Sequence, residues 1–402
     1  MPTVYTSRDA ITAQANLIPV QYLGDKVFLL DPNENPFSLI TRLAKKRVVG
    51  ALSFKTQDDV IYPEWYTLQA GSGVTSWIIT TDNGTYVKPW DILYDVNTGT
   101  MCQVTSISTD TLTVVDNIDG GGASTAQAAG DIILRLGNAM EEGVGVPTAR
   151  STQETTITNY IQRVSTPMST TYPAKNSAYH YTGSDFMYQN KKAMIQHTRM
   201  LDSIFLMNGV GNDFTVAAAI TLPADGAVTN GTAVTMGLRG FIATYADAAL
   251  NRTETDLTET EFYEWVKDAF LYGSSEKILF ASNRLIQALM MWNIGRGQFI
   301  METSKATKTL GLQFASVTTP HGVLKVINHK LLAPKASTTP CDNFIVDMEN
   351  IGYVYFKGLD TTVMRNVVQD GSHKQIDEIS TYCGTEFHLA NTHAKLRFTS
   401  FS

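Results

Sequence analysis

The residues of this chain that could do chemistry are scattered. His388 and His393 stand five apart on strand-like sequence. That odd spacing puts them on opposite faces of a strand, which does not suit a shared metal. Glu141-Glu142 is the nearest thing to an acid/base pair, but adjacent carboxylates in a charged loop are solvated. Gly120-Gly121-Gly122 could approach a phosphate, yet no Lys-Ser or Lys-Thr follows at phosphate-loop spacing. Cys102, Cys341 and Cys383 are far apart and odd in number. They give neither a disulfide framework nor a zinc pattern, and they point to a reducing compartment. No Gly-x-Ser-x-Gly, His-Glu-x-x-His or Cys-x-x-Cys occurs. The expectation is a chain with no catalytic residue, no cofactor and no metal, hence not an enzyme. What remains is aromatic. Trp65, Tyr66, Trp77 and Trp90 lie in one β-rich region, where such side chains either fill a local core or act as contacts between subunits.

The element that must organise the rest is the stretch from Tyr181 to Gly209, which reads as one long helix. Thr182 with Asp185 suggests a capping box. Phe186, Ala193, Met194, Leu201, Ile204 and Phe205 recur at helical spacing as one apolar stripe. Lys191, Lys192, Gln196, Arg199 and Asp202 fall mostly outside it, and Asn208-Gly209 is the stop. At 1.5 Å per residue such a helix spans roughly 40 Å, about the width of a domain.

Ahead of this helix the pattern is β. Asn35 and Pro36 open a short helix carrying Phe37, Leu39, Ile40 and Leu43, with Lys45, Lys46 and Arg47 crowding its C-terminal end. From Gly50, Leu52–Phe54 and Val60–Tyr62 are strand-like, with Asp58-Asp59 at a turn. Residues 75–138 read as a compact β block, with a hairpin predicted at Asn83-Gly84 and a turn at Asn97-Thr98-Gly99. A Thr-rich strand returns through 151–171. Beyond the long helix, 210–235 is a polar loop. A third block then opens at Met236 with a helix to Leu250. Thr258 and Glu261 form a capping box ahead of a helix ending at Gly273, and Ser282 caps another ending at Gly295. Strands flank Pro320-His321-Gly322 as a hairpin, and two more follow before Gly358. Helices alternating with strands imply a sheet with helices on its faces. Three strands close the chain, some pairing back beside the long helix.

With 402 residues the chain can build a large core and more than one domain. A net charge of −7 argues against a free nucleic-acid binder with a broad basic face. Charged residues make up only 17%, so much of the surface is neutral, as suits a subunit whose faces neighbours cover. The first residues show no signal-peptide pattern, and no run approaches the ~18 apolar residues of a bilayer span, so no membrane association is expected. Asn83 and Asn230 are nominal glycosylation sites that read more simply as turns. The initiator Met leads to the expectation that no long propeptide has been removed.

In this order the chain resembles the major capsid proteins of tailed bacteriophages over nearly its whole length. The pieces that carry the resemblance are Asp31 to Leu39 (DPNENPFSL), Asn159 to Val164 (NYIQRV), and the helix ending at Asn208-Gly209. The others are Thr235-Met236-Gly237, Pro320-His321-Gly322, and the strand Phe344 to Asp347. The resemblance implies an α+β fold, the tailed-phage major capsid fold. It implies an N-terminal arm at 1–50 and an extended β-hairpin loop at 51–166 lying over an adjacent subunit. That loop would be enlarged by an inserted β module at 75–138. A peripheral domain would take 167–235 and 361–390, and an axial domain 236–360 and 391–402. The function implied is a capsid subunit that self-assembles into hexamers and pentamers of an icosahedral head around double-stranded DNA, held without sequence specificity. The place implied is the virion, assembled in the host cytoplasm. Other partners would be portal, scaffolding and decoration proteins, with scaffolding on a separate chain. An encapsulin-like compartment shell, a tail or decoration protein, and an enzyme built on 236–360 are the competing readings.

Overall fold

The computed structural model describes residues 36–69, 72–79, 86–115, 118, 128–173, 185–209, 212–214, 232–296, 315–332, 338–367 and 374–402. Residues 1–35 of the predicted arm at 1–50, with the cap at Asn35, lie outside them, as do the cap at Thr182, the turns at Asn83 and Asn230, and Gly120–Gly122. Contacts divide the chain into two compact units, 57–156 and the remainder.

In chain order the larger unit begins with helix α1 (Pro36–Leu43), strand β1 (Lys45–Val49) and strand β2 (Ser53–Asp58). The smaller unit holds β3 (Trp65–Thr67), β4 (Ser76–Ile78), β5 (Asp91–Asp95), β6 (Met101–Ser108), β7 (Thr111–Val115) and β8 (Ile132–Asn138). The chain returns through β9 (Thr155–Tyr160) and β10 (Gln162–Thr171) to the long helix α2 (Asp185–Met207). A small ribbon follows, β11 (Asn212–Phe214) with β12 (Thr232–Val234), then α3 (Leu238–Tyr245), β13 (Asn251–Leu257) and α4 (Glu259–Ala269). Next come β14 (Glu276–Ala281), α5 (Asn283–Arg296), β15 (Ala315–Thr319), β16 (Gly322–Asn328), β17 (Cys341–Val346) and β18 (Ile351–Phe356). The last strands are β19 (Thr362–Met364), β20 (Lys374–Phe387) and β21 (Ala394–Phe401).

Two sheets build the larger unit. One has the order β1-β18-β20-β10, with β19 beside β20. The other runs β13-β21-β17-β14-β16-β15. The long helix packs over β10 and β20, so the C-terminal strands do pair back beside it. One core gathers Phe37, Leu201, Phe205, Phe241, Phe280, Tyr353 and Phe387. A second, around Phe262, Trp265, Leu285 and Leu396, seats α4 and α5 on the six-stranded sheet. Each such side chain contributes roughly 1.5–3 kcal/mol on burial.

The smaller unit is a sheet of order β3-β8-β5-β6-β7-β4. A bridge between Leu68 and Ile79 joins its two outer segments, reinforced by Gln69 N–H donating to the Ile78 carbonyl at 2.7 Å. The sheet therefore closes on itself, which removes free edges. Tyr66, Trp77, Leu93, Cys102, Val104, Leu112 and Ile133 fill its interior.

Several expectations are corrected. Val60–Tyr62 is not a strand. Val60 and Ile61 are 70% and 82% exposed, and Asp58 ends a strand instead of making a turn. The runs on either side of Asn83-Gly84 do not form a hairpin. β4 pairs with β7, while β5 pairs with β6 and β8. Lys45, Lys46 and Arg47 form an edge strand parallel to β18, not a fringe on α1. The helix from Met236 stops at Tyr245, and the charged run Asn251–Leu257 is a strand parallel to β21. Charge masked its period, since an edge strand can expose most of its side chains. β17 and β18, neighbours in sequence, belong to different sheets because the 3₁₀ turn Met348–Asn350 redirects the chain. His388 and His393 do not share a strand. Leu389, in the left-handed region at φ 49°, and the 3₁₀ turn Ala390–Thr392 separate them.

Candidate functional site

Three of the motifs that carried the resemblance converge on one buried polar junction. Asn159 leaves β9 with its side chain inside the larger unit. Its Oδ1 accepts from Met236 N–H at 2.8 Å, and its Nδ2 donates to the Thr385 carbonyl at 2.8 Å. Thr385 Oγ1 returns a bond to the Met236 carbonyl at 2.9 Å. Beside it, Asn208 Nδ2 donates to the Thr235 carbonyl at 2.9 Å and to Gln162 Oε1 at 3.1 Å. Asn208 thus does more than stop the long helix. Gly237 is required here for space: a Cβ would lie 2.7 Å from the Asn208 nitrogen and 2.8 Å from the Ile204 carbonyl oxygen. The junction ties β9, β10, the end of α2, the start of α3 and β20 into one body. Buried amides fix such a geometry because each leaves a penalty when unpaired.

A second site caps α1 from a distance. The first N–H groups of a helix lack internal partners. Ser38 N–H finds one in Asp202 Oδ1 at 2.7 Å, across 164 residues. The other oxygen of Asp202 lies 2.6 Å from His329 Nε2, and both side chains are buried. The two atoms are close without meeting the geometry of a hydrogen bond. Helical spacing puts Asp202 off the apolar stripe and Met194 on it. The molecule reverses both, because Asp202 is buried and Met194 is 55% exposed. His197, on the same helix, is also buried between the hydroxyls of Thr166 (2.9 Å) and Thr381 (2.8 Å). Burial, with the charge of Arg42 adding, pushes its pKa down to about 4.

The third cluster looks most like chemistry. Lys277 is buried, and burial pushes its ammonium pKa down to about 8. Asp347 and His393, both buried, lie around it. Burial and the Lys277 charge hold His393 down to about 3. Every donor of Lys277 is spent, however. Nζ donates to the carbonyls of Ala269 (2.7 Å), Tyr272 (2.8 Å) and Thr392 (2.7 Å). Asp347 accepts from Ser274 N–H and Glu349 N–H, and Asp347 N–H donates to His393 Nδ1 at 3.2 Å. The group closes the C-terminal end of α4 and the turn at Gly273. Sequence reading missed it because its members are 46 to 116 residues apart.

The aromatic candidates fall in different places. Tyr66 and Trp77 lie inside the closed sheet. Trp90 is half-buried in a turn, with φ 76°. Trp65 is 54% exposed and stands opposite Leu134, which stands opposite Tyr94, which stands opposite Met101. Directly opposed residues share a face, so these four form an outward apolar row. A groove of about 330 Å³ lies between β10 and α2, lined by Pro167, Met168, Gln189, Lys192, Ala193 and Gln196. Lys192 is its one titratable group and lies 5.0 Å from the ring of Tyr188. Among the described residues no group of three or more His, Cys, Asp or Glu could hold a metal ion.

Residues 5–400 match the family described as SU10 major capsid protein. Among solved structures, the capsid of an empty GTA particle superposes with a TM-score of 0.50 at 10% identity, covering 98% of this chain and 99% of that one. A chain of Mycobacterium phage Ogopogo gives 0.47 at 11%, covering 98% and 100%. The holo-SrpI encapsulin complex of Synechococcus elongatus gives 0.43 at 8%, covering 98% and 95%. At such identities the likeness is one of fold. No curated protein matches the sequence.

Proposed function

Because the chain belongs to the SU10 major capsid protein family and is a capsid subunit, we propose that it works through contacts between copies and not through a reaction. The family match across residues 5–400 carries this reading. The copies form hexamers and pentamers of an icosahedral head, assembled in the host cytoplasm around double-stranded DNA. Portal and scaffolding proteins, and decoration proteins where present, complete the particle. Residues 1–50 serve as the arm and 51–166 as the extended loop over a neighbouring copy, with the β module at 75–138 set into it. The peripheral domain takes 167–235 and 361–390, and the axial domain 236–360 and 391–402. Of the four aromatic candidates, Trp65 has the exposure an interface needs. Tyr66 and Trp77 support the module that presents it, and Trp90 shapes the turn into β5. The buried Lys277, Asp347 and His393 are structural in this reading, since Lys277 Nζ, the Asp347 carboxylate and His393 Nδ1 serve backbone partners. Many modest contacts acting together suit a shell, because each stays weak enough to correct.

The test is expression followed by negative-stain microscopy, alone and with a scaffolding partner. Rings, sheets or closed shells are expected. A strictly monomeric species at high concentration under both conditions would contradict the proposal. Particles filled by an enzyme instead of DNA would move the chain to an encapsulin-like shell.

A further inference from the structure

The larger unit carries two poles of opposite charge on two sheet edges. β1 is the outer strand of the five-stranded sheet and is largely exposed. Residues 36–56 hold five cations, Arg42, Lys45, Lys46, Arg47 and Lys55, and no acid. β13 is the outer strand of the six-stranded sheet and runs into α4. Residues 253–264 hold five acids, Glu254, Asp256, Glu259, Glu261 and Glu264, and no base. In a chain with 17% charged residues such segregation is not set by composition.

Part of each pole is balanced within the subunit. Arg47 pairs with Glu386, and Lys45 Nζ donates to the Glu349 carbonyl. Glu264 joins Asp268 on Arg252, Glu261 closes the box with Thr258, and Asp256 accepts from the Ser400 hydroxyl. Behind β13, Lys395 is turned to Asn251, and Arg397 lies 3.9 Å from Asp342. Lys46 and Glu254 stand apart: neither has an ion-pair partner among the described residues.

Identical subunits that close a ring need two different surfaces that fit each other, because a head-to-tail contact is not self-complementary. Charges along a strand edge also discourage indiscriminate pairing with other edges. Opposite charges select the right approach and penalise the wrong one. We propose that the basic β1 edge of one copy docks on the acidic edge formed by β13 and α4 of the next copy. This rests on the capsid-subunit reading, and Lys46 and Glu254 are its most available charges.

Charge reversal and exchange test it in the full chain. Lys46→Glu and Glu254→Lys are each expected to raise the concentration needed for assembly about tenfold. The thermal midpoints should not change, because neither residue has an ion-pair partner among the described residues. The double variant K46E/E254K is expected to recover assembly, and added salt should weaken assembly of the wild type. If the wild type assembles and both single variants match it, or if the double variant fails to recover, the inference falls while the capsid reading stands. If the wild type does not assemble under any condition, both fall. If K46E abolishes binding to a short DNA duplex without altering assembly, the basic pole serves nucleic acid and the inference falls.

Discussion

Asp202 shows how much a single residue can carry in this fold. It sits in the last third of the longest helix described, buried, where a carboxylate needs a reason. Its reason is Ser38 N–H on one oxygen and His329 on the other. Asp202→Ala leaves a buried imidazole and a buried helix N-terminus without a partner. A loss of about 3 kcal/mol or more is expected in urea unfolding. A change below about 0.5 kcal/mol would show that the pair is dispensable. His197 and His393 make a separate prediction. Burial holds both neutral, at about 4 and about 3, against 6.5 in the unfolded chain. Between pH 6.5 and about 4 the unfolded state therefore binds more protons, and stability falls as pH falls. The slope is up to about 1.4 kcal/mol per pH unit for each histidine. Below the ordinary carboxylate range Glu378, held low by the Ser165 hydroxyl and Arg163, adds to the loss. The urea midpoint should drop from pH 7.5 to pH 5, and a flat midpoint would contradict the buried neutral state. None of these three residues was readable as buried. Their partners, Ser38 and His329 for Asp202, Thr166 and Thr381 for His197, and Asp347 for His393, lie far away in sequence, where no local pattern joins them.

At the scale of elements, what local rules govern was legible and what tertiary context governs was not. The box at Thr258 is present in both directions: Glu261 N–H donates to Thr258 Oγ1, and Thr258 N–H donates to Glu261 Oε2. Thr258→Ala should cost about 1 kcal/mol, read as a lower thermal midpoint, and an unchanged midpoint would mean that packing alone holds α4. Pro320-His321-Gly322 was expected between paired strands, and β15 pairs with β16 there. The reason for its glycine came only from the fold. A Cβ on Gly322 would meet the Phe270 ring at 2.4 Å and the Ser275 carbonyl oxygen at 2.5 Å. Apolar spacing places the long helix correctly, but one spacing rule cannot tell the part of a stripe that neighbours cover from the part left open, and so Met194 is exposed. Asn251–Leu257 escaped because an edge strand rich in charge has no alternation to read.

At the scale of the whole molecule, the resemblance supplied the order of parts, and the fold supplied the reason for their junctions. Asn159, Asn208 and Thr235-Met236-Gly237 are unremarkable as a string and meet at one place in space. The smaller unit is self-contained by its closed sheet and its own core. Thr56 and Ile157, the residues of the larger unit that flank it, are joined by a bond from Thr56 Oγ1 to the Ile157 carbonyl at 3.4 Å. Excising 57–156 with a short linker should therefore leave cooperative unfolding of the remainder intact, and residues 57–156 should unfold cooperatively alone. Loss of all cooperative unfolding in the remainder would show that the two units are one. The central claim, action by contact between copies, is tested most directly by a density map of the assembled native particle. The account predicts a shell in which residues 51–166 of each copy lie over an adjacent copy. A particle in which that segment touches only its own subunit would contradict it.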